Sequence, residues 1–295
     1  MSKHLPYIAL LIAAFLLSAA QLTPLQPGET VTQTHVLYYG DLGGTPDTQN
    51  LDYVALAPSV TQSFASGVTT LDTMAERSDQ AGYFAFNNPA LQRELGYSVL
   101  FTVQLFEEVH RGRNRAGFSL LVLSSDLQGI ELGFWTHEIW AQEGGRENLF
   151  KHAEGIAFDT TASLITYELQ IAGDQYTLLA DGLPLLSGPL RDYTAFEGFI
   201  DPYETPNLLF LGDDSTTSRA KVNIAYVALE TTSIPTPTPM PTLTATVAPT
   251  KTATSTPTAT IAPTETAARL APQNNPPRWP YWWFPLTSGY PPNLQ

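Results

Sequence analysis

The stretch from Arg115 to Gln142 constrains this chain more than any other. Phe118, Leu120 and Val122 alternate there with Ser119, Leu121 and Leu123. Both faces of the strand this predicts are mostly apolar. A strand buries both faces only when other layers cover it on either side, so this one belongs near a sheet centre. Ser124 to Gly129 reads as a turn, and Thr136-His137 as a second break, giving two or three consecutive strands. The stretch also holds two of the five tryptophans, Trp135 and Trp140.

The flanking sequence is more sheet material. His35–Tyr39, Tyr53–Ala57, Ser63–Leu71 and Tyr83–Phe86 have the β-branched and aromatic content of strands. Pro89–Leu95 is expected as a short helix, with Asn88 as its cap and Gly96 as its stop. Val99, Phe101, Val103 and Leu105 share one face of the next strand. Ile165, Tyr167, Leu169 and Ile171 point inward from another. Asp181-Gly182 is a strong hairpin signal, because both central residues of a type I′ turn need φ > 0. Asn207–Leu211 and Lys221–Leu229 complete the set. Many short strands with almost no helical periodicity predict an all-β fold, a two-sheet antiparallel jelly-roll sandwich.

The ends differ in kind. Lys3 and His4 precede an apolar run from Ile8 to Leu17, and Ser18-Ala-Ala20 supplies small residues, so 1–20 reads as an export signal cleaved before Gln21. The run is shorter than the ~20 residues that span a bilayer, although an uncleaved anchor is the rival reading. Residues 21–33 form a polar lead-in, and 34–230 the sandwich. Thr, Pro, Ala and Ser dominate 231–275, which cannot bury enough apolar surface to order itself and reads as an extended, disordered spacer. Residues 276–295 form a tail with the other three tryptophans. This organisation predicts a secreted or cell-surface bacterial protein, monomeric, with no membrane span after signal cleavage.

Acidic residues outnumber basic ones 28 to 14, a formal charge of −14, which argues against nucleic acid and anionic membrane as partners. With no cysteine, disulfides, thiol nucleophiles and thiolate-bound zinc are excluded.

Five stretches carry a resemblance: Gly96-Tyr-Ser-Val-Leu-Phe-Thr-Val-Gln104, Arg115-Ala-Gly-Phe-Ser-Leu-Leu-Val-Leu-Ser-Ser-Asp126, Gly129-Ile-Glu-Leu-Gly-Phe-Trp135, Glu138-Ile-Trp-Ala-Gln142 and Leu211-Gly-Asp-Asp-Ser215. With them the chain resembles the bacterial exported domain called choice-of-anchor, Y type, within the concanavalin-like and laminin-G-like jelly rolls. The resemblance implies a domain followed by varied anchoring signals. It does not imply an activity, because fold does not fix function. The chain departs from the usual anchors in having no Leu-Pro-x-Thr-Gly motif.

For chemistry, Glu138 and Glu143 have the spacing of the acid pair in laminarinase-type hydrolases, but Trp140 stands where those enzymes place Asp. Residues i and i+5 of a regular strand also face opposite ways, and a retaining pair needs carboxyls ~5–5.5 Å apart. A solvated strand end is the expectation, with no catalytic residue. Glu107 to Arg115 is a dense charged patch, expected as a hairpin loop, whose His110, Arg111, Arg113 and Arg115 could bind carboxylates or sugar hydroxyls. Trp135, His137 and Trp140, beside Glu138, are candidates for a platform on which a sugar ring stacks, although core burial of either tryptophan is as common. No zinc spacing links His110, His137 and His152. Asp201, Asp213 and Asp214 lie on turns that could supply calcium ligands but equally stand without metal, so no cofactor is expected and calcium is the one candidate. The reading is a non-enzymatic, surface-displayed module for glycan or cell-envelope ligands. A glycan-active hydrolase and a purely structural spacer domain are the alternatives.

Overall fold

The computed structural model describes residues 30–86, 88–198 and 201–234. The chain divides at Pro239/Met240 into two units, and every described residue belongs to the first. The export signal, most of the lead-in, nearly all of the Thr/Pro-rich segment and the aromatic tail lie outside the described residues. Among those described, no helix is long and apolar enough to cross a membrane.

Two eight-stranded antiparallel sheets form the sandwich. The strands in chain order are β1 (Val31–Tyr39), β2 (Asp52–Ala55), β3 (Thr61–Ala65), β4 (Val68–Asp72), β5 (Ala81–Ala85), β6 (Tyr97–His110), β7 (Ser119–Leu123), β8 (Gln128–Trp135), β9 (Glu138–Gln142), β10 (His152–Ala157), β11 (Ile165–Ala172), β12 (Gln175–Ala180), β13 (Leu183–Pro189), β14 (Arg191–Asp192), β15 (Leu209–Asp213) and β16 (Ser218–Ser233). The first sheet runs β13-β12-β11-β6-β16-β4-β3, with β1 also on β16. The second runs β10-β9-β8-β7-β15-β5-β2, with β14 on β8. This is the expected jelly-roll sandwich.

β16 organises the first sheet. One of its edges pairs with β6 from Ser218 to Thr231, and the other is shared by β4 and β1. Because β1 stays paired as far as Val31↔Ser233, the sandwich extends three residues beyond the expected 34–230 at each end. Val31, Thr32, Gln33, Thr231, Thr232 and Ser233 fill those added positions, and β-branched Val and Thr suit a paired, half-exposed strand.

The core lies between the sheets. Val99, Phe101, Val103 and Leu105 of β6 and the four inward residues of β11 meet Leu120, Val122, Ile130, Leu132 and Phe134 of the second sheet. Leu121 and Leu123 project from the other face of β7 into a separate cluster with Tyr193, Tyr203, Leu208 and Phe210. Residues 193–198 and 201–208 thus form a partial third layer, which is why the central strand is apolar on both faces.

Several local expectations are corrected. Ser63–Leu71 is not one strand but the β3–β4 hairpin, turned at Ser66 (φ 50°) and Gly67 (φ 79°). Pro89–Leu95 is not helical. Asn207 Oδ1 accepts from Leu91 N at 2.8 Å, Asn88 donates to the carbonyls of Ala85 and Asn207, and only one turn closes at Gln92–Gly96. Glu107–His110 is strand rather than loop, because β16 still offers partners from Ser218 to Lys221. The connection after it crosses between the sheets and is no hairpin. The Asp181-Gly182 turn has the expected positive φ, 48° and 78°.

Burial on both faces of β7 gives a direct test. Leu120→Ala and Leu121→Ala should each lower unfolding free energy by about 2–5 kcal/mol in denaturant titration. A near-neutral Leu121→Ala would mean that the outer face is open.

Candidate functional site

The outer face of the second sheet, at its β8-β9-β10 end, is not apolar. Ile139 and Ala141 of β9 point into the core, so Glu138, Trp140 and Gln142 point out, by alternation. The two-residue turn Thr136-His137 sets Trp135 opposite Glu138 and Gly133 opposite Trp140 without a register shift. On the other side Trp140 pairs with Gly155 of β10. One indole is therefore flanked across both ladders by glycine. A Cβ on Gly133 would stand 2.8 Å from Trp140 Cε2, and one on Gly155 3.1 Å from Trp140 Cβ and inside contact distance of Glu138 Oε1. Only hydrogen at both positions leaves room for the ring and for the carboxylate beside it.

Four rings follow from that seat. His152 stacks on Trp140 at 4.4 Å and 15°, Trp135 leans on Trp140 at 5.4 Å, and His110 stacks on Trp135 at 4.1 Å and 13°. Trp135 is fixed by its Nε1–H, which donates to the Arg115 carbonyl at 2.9 Å. Each histidine also meets a carboxylate: His152 Nε2 lies 3.1 Å from Glu138 Oε1, and His110 Nδ1 lies 2.7 Å from Glu108 Oε2. Burial pushes the Glu108 carboxyl up, against the opposing pull of His110. A cleft of about 410 Å³ opens here, lined by His110, Arg111, Gly112, Arg113, Trp135, Glu138 and His152.

The structure brings together Arg111, Arg113, Trp135 and Glu138. Trp140 is fully buried beneath them, so it supports the wall and is not itself a stacking surface. His137 is exposed on the turn, outside the cleft lining, and its carbonyl accepts from Phe158 N. Arg115 turns away, its guanidinium 4.8 Å over the Phe150 ring. Glu143 does not join Glu138: it lies beyond β9, and its Oε1 accepts from Arg191 Nε at 3.0 Å. Sequence reasoning missed Glu108 and His152 as part of the site. His152 lies on an edge strand without apolar alternation, so only its cross-strand register reveals it.

Next to the cleft, under the third layer, lies an acidic cluster. Glu131 is buried and accepts from the Gln142 amide and, at 2.6 Å, from Tyr203 Oη. Burial, with Asp214 adding to it, raises the Glu131 carboxyl well above the usual range. Burial also raises Asp214, against the pull of Arg115. Asp213 lies apart from this cluster, on the side of β15 that carries Leu209 and Leu211 into the core; it accepts from Thr73 Oγ1 at 2.7 Å, and burial pushes it up to about 9. Asp201 instead accepts from Tyr203 N at 2.9 Å, capping a short turn. Among the described residues no group of three or more His, Asp or Glu is placed to hold a metal ion.

No family model and no curated protein matches this chain. Solved structures do. A carbohydrate esterase from the Shiga toxin-encoding bacteriophage phi24B is similar over 68% of this chain and 99% of its own, at 14% identity and a TM-score of 0.47. A Bacillus subtilis protein of unknown function with a galectin-like fold aligns over 68% and 99%, at 10% identity and 0.42. The exoplasmic/lumenal domain of VIP36, in a form bound to Ca²⁺ and Man2, aligns over 66% and 86%, at 11% and 0.42.

Two outcomes follow. Gly133→Val should cost about 1–3 kcal/mol through overpacking against Trp140 and alter the near-ultraviolet dichroism of the tryptophans. For pH, carboxyls raised in the fold hold protons that the unfolded chain releases. Their contribution is complete below the unfolded carboxyl range and is lost as pH rises through the folded value. For Asp213 that window runs from about pH 4 to 9, and across it the contribution makes unfolding free energy fall with rising pH. Asp213→Asn should flatten that fall in urea titrations across the range, and an unchanged slope would contradict the assignment.

Proposed function

We propose that this protein is a glycan-binding β-sandwich module that holds its ligand without turning it over. One observation carries the reading. Trp135 and the partly exposed His110, backed by a buried Trp140, form an aromatic wall along a cleft whose other lining groups are Arg111, Arg113, Glu138 and His152. Apolar rings beside a few directional polar groups are what an amphipathic sugar ring requires. Binding rather than hydrolysis is supported by Glu138 being the one carboxylate among the lining residues, with its Oε1 taken up by His152. A retaining or inverting hydrolase needs a second carboxyl across the scissile bond.

We further propose that the module is exported and displayed at or beyond the cell surface. The signal-like 1–20 and the Thr/Pro-rich segment support this, and the choice-of-anchor resemblance agrees with it. Calcium belongs to the same proposal only as a condition to vary.

A glycan array probed with the full chain, with and without calcium, should give hits. For any hit, Trp135→Ala should weaken binding at least tenfold, about 1.4 kcal/mol, in calorimetry, while His137→Ala leaves it unchanged. Turnover of a hit that Glu138→Gln abolishes would replace this reading with the hydrolase.

A further inference from the structure

The cleft's two arginines are unusual among the arginines of this chain. Arg93 pairs with Asp126 and Asp174, Arg146 with Glu197, and Arg191 with Glu143 and Glu154. Arg115 and Arg219 donate to backbone carbonyls. Among the described residues, the side chains of Arg77, Arg111 and Arg113 make no hydrogen bond or ion pair, and of these three Arg111 and Arg113 line the cleft. They are set two residues apart across Gly112, where an added Cβ would meet no other atom, so the loop tip is open. Acidic groups are plentiful in a chain of net charge −14, yet none neutralises this pair. The nearby carboxylates are engaged already, Glu138 by His152 and the buried Glu108 by His110. A guanidinium presents paired donors in a fork that matches a carboxylate. Two of them at the rim of an aromatic-walled cleft define a local cationic site on an acidic molecule, and such a site concentrates anions.

We infer that the ligand of this cleft is an acidic sugar, its ring against the Trp135–His110 wall and its carboxylate on Arg111 and Arg113. This rests on the glycan-binding reading and narrows it to one substrate class. The loop is exposed, so the ionic part of the affinity should weaken as salt is raised.

The test is calorimetry with the full chain on a panel of uronate- and sialate-bearing oligosaccharides. Each is matched with a derivative whose carboxyls have been reduced to alcohols, and a sulfated glycan is added as a polyanion control. At least one acidic sugar should bind tenfold or more tighter than its reduced partner. The double variant Arg111→Gln/Arg113→Gln should bring the two within about twofold, with an unchanged melting curve. Equal binding of acidic and reduced forms by the unaltered protein would overturn the acidic preference and leave a neutral-glycan module. Preference for the sulfated control, or acidic-sugar binding that is undiminished in Trp135→Ala, would also overturn it, as charge attraction without a sugar site. No binding to any glycan, here or on the array, would remove the parent reading as well.

Discussion

One indole sets the geometry of the whole site face. Trp140 lies across a three-strand row, Gly133–Trp140–Gly155, in which each neighbour contributes no side chain. That row gives a large ring a fully buried seat on the outside of a sheet, where bulky groups ordinarily face solvent or another layer. With the seat filled, His152 has a surface to stack on, and Glu138 has both room and a partner. Trp135 is propped outward over the seat and offers its other side to His110 of the opposite sheet. The cleft is therefore built by both sheets, from the end of β6 and from the β8-β9-β10 edge.

The same sheet face is used in two ways along its width. Over β7 and β15 it is sealed by Tyr193, Tyr203 and Leu208, so Leu121, Leu123 and Phe210 are core. Over β8 to β10 it stays open and polar. Glu131, Gln142 and Arg115 lie at the boundary, where the covering loops exclude water but a full set of ionic partners is missing. The carboxyls there respond by holding protons. Tyr193 Oη ties the boundary together, donating to the Gln142 carbonyl at 2.8 Å and accepting from Glu131 N at 3.1 Å. Neither Glu131 nor Asp214 is among the residues that line the cleft.

Much of the fold was legible because alternation reports burial directly. The two-faced apolar pattern of Phe118–Leu123 predicted a central strand, and β7 is the middle strand of its sheet. β11 and the Asp181-Gly182 turn followed from period and turn chemistry. What escaped was set by partners distant in sequence. β10 is an edge strand whose half-buried residues show no alternation. The expected helix at Pro89–Leu95 was pre-empted by Asn207, more than a hundred positions away, capping Leu91 N. For the site, residue type identified Arg111, Arg113, Trp135 and Glu138 as candidates. It could not show that Trp140 is buried, that Arg115 turns inward or that His110 and His152 complete the cleft. Those facts depend on the register of β9 with β8 and β10 and on the crossing between sheets.

The most direct test of the central claim is chemical-shift mapping. The indole Nε1–H of Trp135 and the rings of His110 and His152 would be followed by nuclear magnetic resonance while a bound glycan is titrated into the full chain. The account predicts that these signals move together and saturate at one affinity, with His137 left in place. Shifts confined to another part of the sandwich, such as the groove between His35, Asn50 and Phe86, would contradict it.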